Sequence, residues 1–182
     1  PFPMIYYSTA KRNGIGGKAE GLYKLQKLGM QVPDFLVIPF QNFKGIISEN
    51  TPTESGSSLI YQELLDYKLP AEDWRKLEKI LSKWDFPNTP VVVRSSVLDE
   101  DSSKNAFPGI MQSFLNISTK QELESAIAKC AASAWSKVAM SYRKQHNLNL
   151  IARPAVIIQQ QVDPDASGVL FTTFPNFPQE MA

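Results

Sequence analysis

Residues 91–109 read VVVRSSVLDEDSSKNAFPG, a run that begins as a strand and ends as a polar loop. Three consecutive valines are stiff at χ1 and favour a buried strand. Arg94 then emerges at the end of that strand. An unpaired guanidinium taken out of water is costly, so Arg94 needs a counter-charge. Its planar, forked donors suit a phosphate. The residues alone leave a second reading open, an ion pair with Asp99, Glu100 or Asp101. That acidic trio could also hold Mg²⁺, although three adjacent carboxylates in a polar loop are usually solvated. Just beyond, IMQSFLNI at residues 110–117 reads as a second strand.

Toward the N-terminus, NGIGGKAEGL at residues 13–22 sets glycines at 14, 16 and 17 against Lys18. A P-loop needs glycine at position 12 and Ser or Thr at 19, and these are Arg12 and Ala19. The dinucleotide fingerprint fails at Ala19 as well. Two readings survive: amides at a helix N-terminus beside one cation, which together can hold an anion, or a plain turn into a helix. Ala19, Leu22, Leu25 and Leu28 recur three apart as the expected seam of that helix, and Gly29 is its expected stop. MIYY at residues 4–7 is a short candidate strand, and Phe35 to Ile38 a clearer one.

Residues 41–81 carry helical signals interrupted by a loop, NTPTESGSS, at residues 50–58. Leu64, Leu65, Leu77, Ile80 and Leu81 are the expected packing positions. DFPNTP at residues 85–90 is the sharpest internal break and the candidate lobe junction. Thr119 and Glu122 form a capping box that opens a helix expected to run to about His146. AVIIQQQV at residues 155–162 is a third strand, and GVLFTT at residues 168–173 a fourth, expected to pair with it as a hairpin. Within the glutamine run, Gln159 and Gln161 share one face and Gln160 the other. Amides so placed can read a nucleobase edge, with Val162 and Ile158 against its face. Helices mixed with antiparallel hairpins give an α+β fold class.

The chain holds 182 residues, 43% hydrophobic and 20% charged, ordinary globular proportions. Nineteen basic against 18 acidic side chains give no field for a nucleic acid or an anionic membrane. No apolar run approaches the ~20 residues of a membrane span, and the first residues lack the pattern of a signal peptide. A single cysteine, Cys130, builds neither a disulfide framework nor a zinc site, so a reducing, cytoplasmic setting is expected. Cys130 itself reads as a small core residue, and His146 as a surface or helix-capping one. A start at Pro1 is expected to reflect processing or a chosen boundary.

Three stretches taken in order, GIGGKAEGLYKLQKLGMQVPDFLVI (14–38), VVVRSSVLDEDSSKNAFPGIMQSFLNI (91–117) and AVIIQQQVDPDASGVLFTTFP (155–175), resemble the N-terminal nucleotide-binding domain of phosphoenolpyruvate synthase and pyruvate phosphate dikinase. The resemblance covers most of residues 1–182 and is weakest at about 40–88. It implies an ATP-grasp fold, two α+β lobes clamping ATP, incomplete here on its C-terminal side. It implies that Lys18 and Arg94 contact the phosphates and offset charge on the transferring group. By the same match, Gly16 and Gly17 free the backbone beside Lys18, Gly109 belongs to a loop over the phosphates, and Ser113 joins that loop. Gln159, Gln161 and Val162 correspond to the adenine pocket.

The resemblance further implies ATP and Mg²⁺ as cofactors, with the metal ligands beyond residue 182 and no metal site within the chain. Its full-length members phosphorylate a histidine on a separate domain and then pyruvate on a barrel domain, which makes those two domains the expected partners. Two departures stand out: Pro108 and Ile110 replace small or polar loop residues, and His146 lacks the setting of the family's active histidine. A fragment of this kind is expected to catalyse no net turnover. Two alternatives share the nucleotide domain, a rifampicin phosphotransferase or glucan dikinase acceptor and a non-catalytic nucleotide-binding module.

Overall fold

Four strands form the sheet that organises the chain, and their register decides which side chains meet. The computed structural model describes residues 14–47, 53–98 and 109–168. In chain order these form α1 (Gly17–Lys27), β1 (Phe35–Ile38), α2 (Glu54–Leu65), α3 (Ala71–Leu81), β2 (Val91–Val97), β3 (Ser113–Ile117), α4 (Lys120–Ser133), α5 (Lys137–Gln145) and β4 (Pro154–Gln160). All pairings are antiparallel, in the order β1-β4-β2-β3. The last of the described strands thus lies between the first two. The architecture is a mixed helix and antiparallel-sheet fold, as the α+β reading expects.

Alternation along the strands sorts the residues into two faces. Leu36, Ile38, Val91, Val93, Val97, Val156 and Ile158 turn to a core shared with Ile60, Leu64, Leu77, Leu81, Leu123, Ile127 and Trp135 of the helical side. Phe35, Val37, Ala155 and Ile157 turn the other way, where Ile15, Ala19 and Tyr23 cover them. The Tyr23 and Phe35 rings lie 4.8 Å apart, tilted. Ile158 therefore belongs to the helix-side core, opposite Gln159. It does not flank a nucleobase as expected.

The buried seam of α1 also differs from expectation. It runs through Ala19 and Tyr23, whereas Leu25 is 39% and Leu28 76% exposed. A three-residue step falls about 60° short of a full turn, so three such steps carry Leu28 to the side opposite Ala19. Gly29 does stop the helix. Its amide reaches the Gln26 carbonyl at 3.0 Å and the Met30 amide reaches that of Leu25 at 3.1 Å, a Schellman closure with Gly29 at φ 76°.

β2 does not end at Arg94 as expected but runs on to Val97, because β4 pairs with Ser95, Ser96 and Val97 as well. Two further boundaries shift for local reasons. The expected loop at 50–58 contains the start of α2, because Thr53 accepts a hydrogen bond from the Gly56 amide and caps the helix. The expected single helix from residue 119 is two, because Ser136 caps α5 by accepting from the Ala139 amide at 3.2 Å. The capping box at Thr119 and Glu122 is present with both of its bonds. At residues 85–90, Asp85 has φ 59° and the Phe86–Pro87 peptide is cis. Trp84 and Val91, on either side, share one core. MIYY at 4–7, Asp99–Asp101 and the expected fourth strand from residue 169 lie outside the described residues.

Candidate nucleotide site

Among the described residues, the α1 side of the sheet is only partly covered. Ile15, Ala19 and Tyr23 close one part, and the rest forms an open depression of about 520 Å³. Its walls include Arg94, Ser113, Gln159, Gln161 and Val162, five residues from three separate stretches of sequence. Register explains the meeting. Arg94 pairs with Ser113 on β3 and with Ile157 on β4, and Val92 pairs with Gln159. Arg94, Ser113 and Gln159 therefore share one face.

Arg94 is half-buried. The ion pairs among the described residues join Lys76 to Glu72 and Asp73, Lys120 to Glu78, and Lys68 to Glu124, all on or beside α3 and α4. None reaches Arg94, so among the described residues its charge is uncompensated and faces an open depression. That arrangement fits an anion. Lys18 lies in the first turn of α1, whose start is fixed against Ser96, two residues from Arg94 on the same side of β2. Gly109, at φ 70°, is exposed in the turn leading to β3 and lies outside the lining of the depression.

The glutamines are not idle. The Gln159 amide nitrogen donates to the Pro33 carbonyl at 3.3 Å. Gln161 accepts from the Asn116 amide at 2.7 Å and donates to the Asn116 side chain, tying the end of β4 to β3. Gln161 thus shapes the rim, while Val162, 58% exposed, and Leu115, 64% exposed, offer apolar surface. Leu115 and Val92 were absent from the expected site. The period of two was the available signal, since each stands two residues from an expected member, Ser113 and Arg94.

A cavity of about 340 Å³ lies elsewhere, between α2 and α5, lined by Ser57, Trp135, Lys137, Met140 and Lys144 among others. It borders none of the expected site residues. Cys130 is wholly buried and burial pushes its thiol pKa up, so it serves as core. His146 caps the end of α5 and stacks on Tyr142 at 4.2 Å. Among the described residues no three His, Cys, Asp or Glu side chains gather as metal ligands, and no helix is long and apolar enough to cross a membrane.

The sequence profile of the family described as pyruvate phosphate dikinase, AMP/ATP-binding domain, matches residues 12–180. The chain belongs to this family. Relatives of this AMP/ATP-binding domain include the phosphoenolpyruvate synthase of Aeropyrum pernix, 29% identical over 88% of the chain and 23% of that protein. The rifampicin phosphotransferase of Bacillus subtilis is 29% identical over 88% of the chain and 21% of its own length. The prodigiosin synthesizing transferase of Serratia marcescens is 28% identical over 92% and 19%. The chain spans about a fifth of the length of these curated relatives.

Proposed function

We propose that the chain is the ATP-binding part of a phosphoenolpyruvate synthase-like phosphotransferase, with an ATP-grasp fold. The observation that carries the reading is the gathering of Arg94, Ser113, Gln159, Gln161 and Val162 around one depression. The phosphates lie toward Arg94, Lys18, Gly16 and Gly17, with Ser113 beside them and the Gly109 turn above. The base lies toward Val162, Leu115 and Gln159.

Phosphoryl transfer asks chiefly for positioned charge, and Lys18 and Arg94 supply it by holding the phosphate oxygens and offsetting the negative charge that develops on them. Mg²⁺, when bound, would offset phosphate charge, and among the described residues no three His, Cys, Asp or Glu side chains gather to hold it. The acceptor in this reading is a histidine on another domain, with pyruvate the final acceptor, and the chain alone has no net turnover. The near balance of 19 basic and 18 acidic residues supports a protein without a nucleic-acid or anionic-membrane partner, and the single cysteine supports a reducing, cytoplasmic setting.

Calorimetric titration with ATP and Mg²⁺, against GTP and AMP, tests the binding. Saturable binding that prefers ATP and weakens in Lys18→Ala and Arg94→Ala is expected. Equal binding by both variants and the parent chain overturns the assignment. A second reading keeps the site and changes the acceptor, as the similarity to rifampicin phosphotransferase favours. The coding sequence downstream separates the two, since pyruvate as acceptor requires a phosphohistidine domain followed by a barrel.

A further inference from the structure

The N-cap of α1 is Gly16, which has no side chain to satisfy the helix's first amides. Ser96 does so from β2. Its hydroxyl accepts from the Ala19 amide at 3.2 Å and donates to the Ile15 carbonyl at 2.8 Å, across 77 and 81 residues of sequence. One buried hydroxyl thus grips the turn both before and after the cap. The contact is close on the backbone side too. A Cβ on Gly16, which has φ 79°, would stand 2.3 Å from the Ser96 carbonyl oxygen.

Gly16 is therefore required by packing on β2 as well as by backbone freedom. Because Ser96 stands two residues from Arg94 on one face, about 7 Å along the strand, whatever fixes the turn to Ser96 fixes it to Arg94. We infer that Ser96 is a positioning residue: it sets the spacing between the Arg94 guanidinium and the Gly17–Lys18 turn, so that both meet one polyphosphate as a preformed pair. Holding two cations in place before the anion arrives removes the ordering cost that binding would otherwise bear. This rests on the nucleotide reading of the site.

The test uses the whole ¹⁵N-labelled chain and inorganic tripolyphosphate, following the Gly17 and Lys18 amides and the Arg94 Nε–H by NMR. In the parent chain both groups respond with one Kd. In Ser96→Ala the Kd weakens roughly ten-fold, the scale of one to two net hydrogen bonds, and the two groups no longer respond together. In a Lys18→Ala background the same substitution adds less than about two-fold, the coupling expected of groups that act as one unit. A merely structural serine would cost the same factor in both backgrounds.

Gly16→Ala pushes the turn off the strand from the opposite side and reproduces the loss, which keeps the test open if Ser96→Ala does not fold. An unchanged Kd in the folded variants, or equal costs with and without Lys18, overturns the inference alone. If Lys18→Ala and Arg94→Ala both leave tripolyphosphate binding intact, the nucleotide site falls first and the inference with it.

Discussion

Replacing Ile158 by alanine separates the two faces of the sheet by their energetics. Ile158 is 0% exposed, and its strand neighbours in register are Leu36 on β1 and Val93 on β2. Both neighbours are held by backbone pairing, so the space left by the lost carbons cannot close by side-chain movement alone. Buried Ile→Ala changes cost about 2–5 kcal/mol, and a rigid site belongs in the upper half of that range. For a chain of this size each kcal/mol lowers Tm by about 2–4 °C, so a fall of roughly 10 °C is expected.

The next residue, Gln159, faces the depression and holds one hydrogen bond to Pro33, worth about 1 kcal/mol. Leu115, 64% exposed, should change stability by no more than about 0.5 kcal/mol when cut to alanine. Urea unfolding followed by far-UV circular dichroism measures all three. A cost for Ile158→Ala below about 1 kcal/mol, or one no larger than that of Leu115→Ala, refutes the face assignment.

Glu122 accepts from the Ser118 and Thr119 amides, which holds its carboxyl below the usual range. A lowered folded-state pKa contributes stability above the unfolded value of about 4.3, lost as pH falls through the folded value. Glu122→Gln should therefore lower the urea midpoint at pH 7 and shrink its difference from the parent chain in acid. Cys130 should react with a thiol reagent only as fast as the chain opens, and at once in denaturant; rapid labelling of the native chain would contradict its burial. Ser136→Ala should cost about 1 kcal/mol as a lost cap, while Ser141→Ala, exposed on α5, should stay within about 0.5.

What could be read in advance was local. Phe35–Ile38 and the valines of β2 are strands because adjacent β-branched and aromatic residues leave few other uses, and the Thr119 box and the Gly29 stop follow from bonds within five residues. Of the polar residues that line the depression, the glutamines stand where an apolar strand gives way to polar groups, whereas Arg94 lies in the middle of β2, which runs on to a buried Val97. The rest depended on partners far away in sequence. No local rule puts β4 between β1 and β2, and that placement brings Gln159 beside Val92. Ser96 reads as one more strand serine until α1, some 80 residues earlier, is laid on it. Trp135 and Ser136 interrupt a helical pattern that remains regular on either side.

The order of the strands has a consequence for how the chain is made. β1 pairs only with β4 among the described residues, and β2 takes β4 along its whole length. During synthesis both strands therefore emerge with a bare edge, and the strand that joins them follows more than 50 residues after β2. Until then, among the described strands, the edges of β1 and β2 that β4 will take stay unpaired, and such edges recruit other strands. A pause in translation before residue 154 would hold the chain at that stage. The lysine-rich, well-capped helices α4 and α5, made in the interval, are the elements able to fold while the sheet waits for its centre.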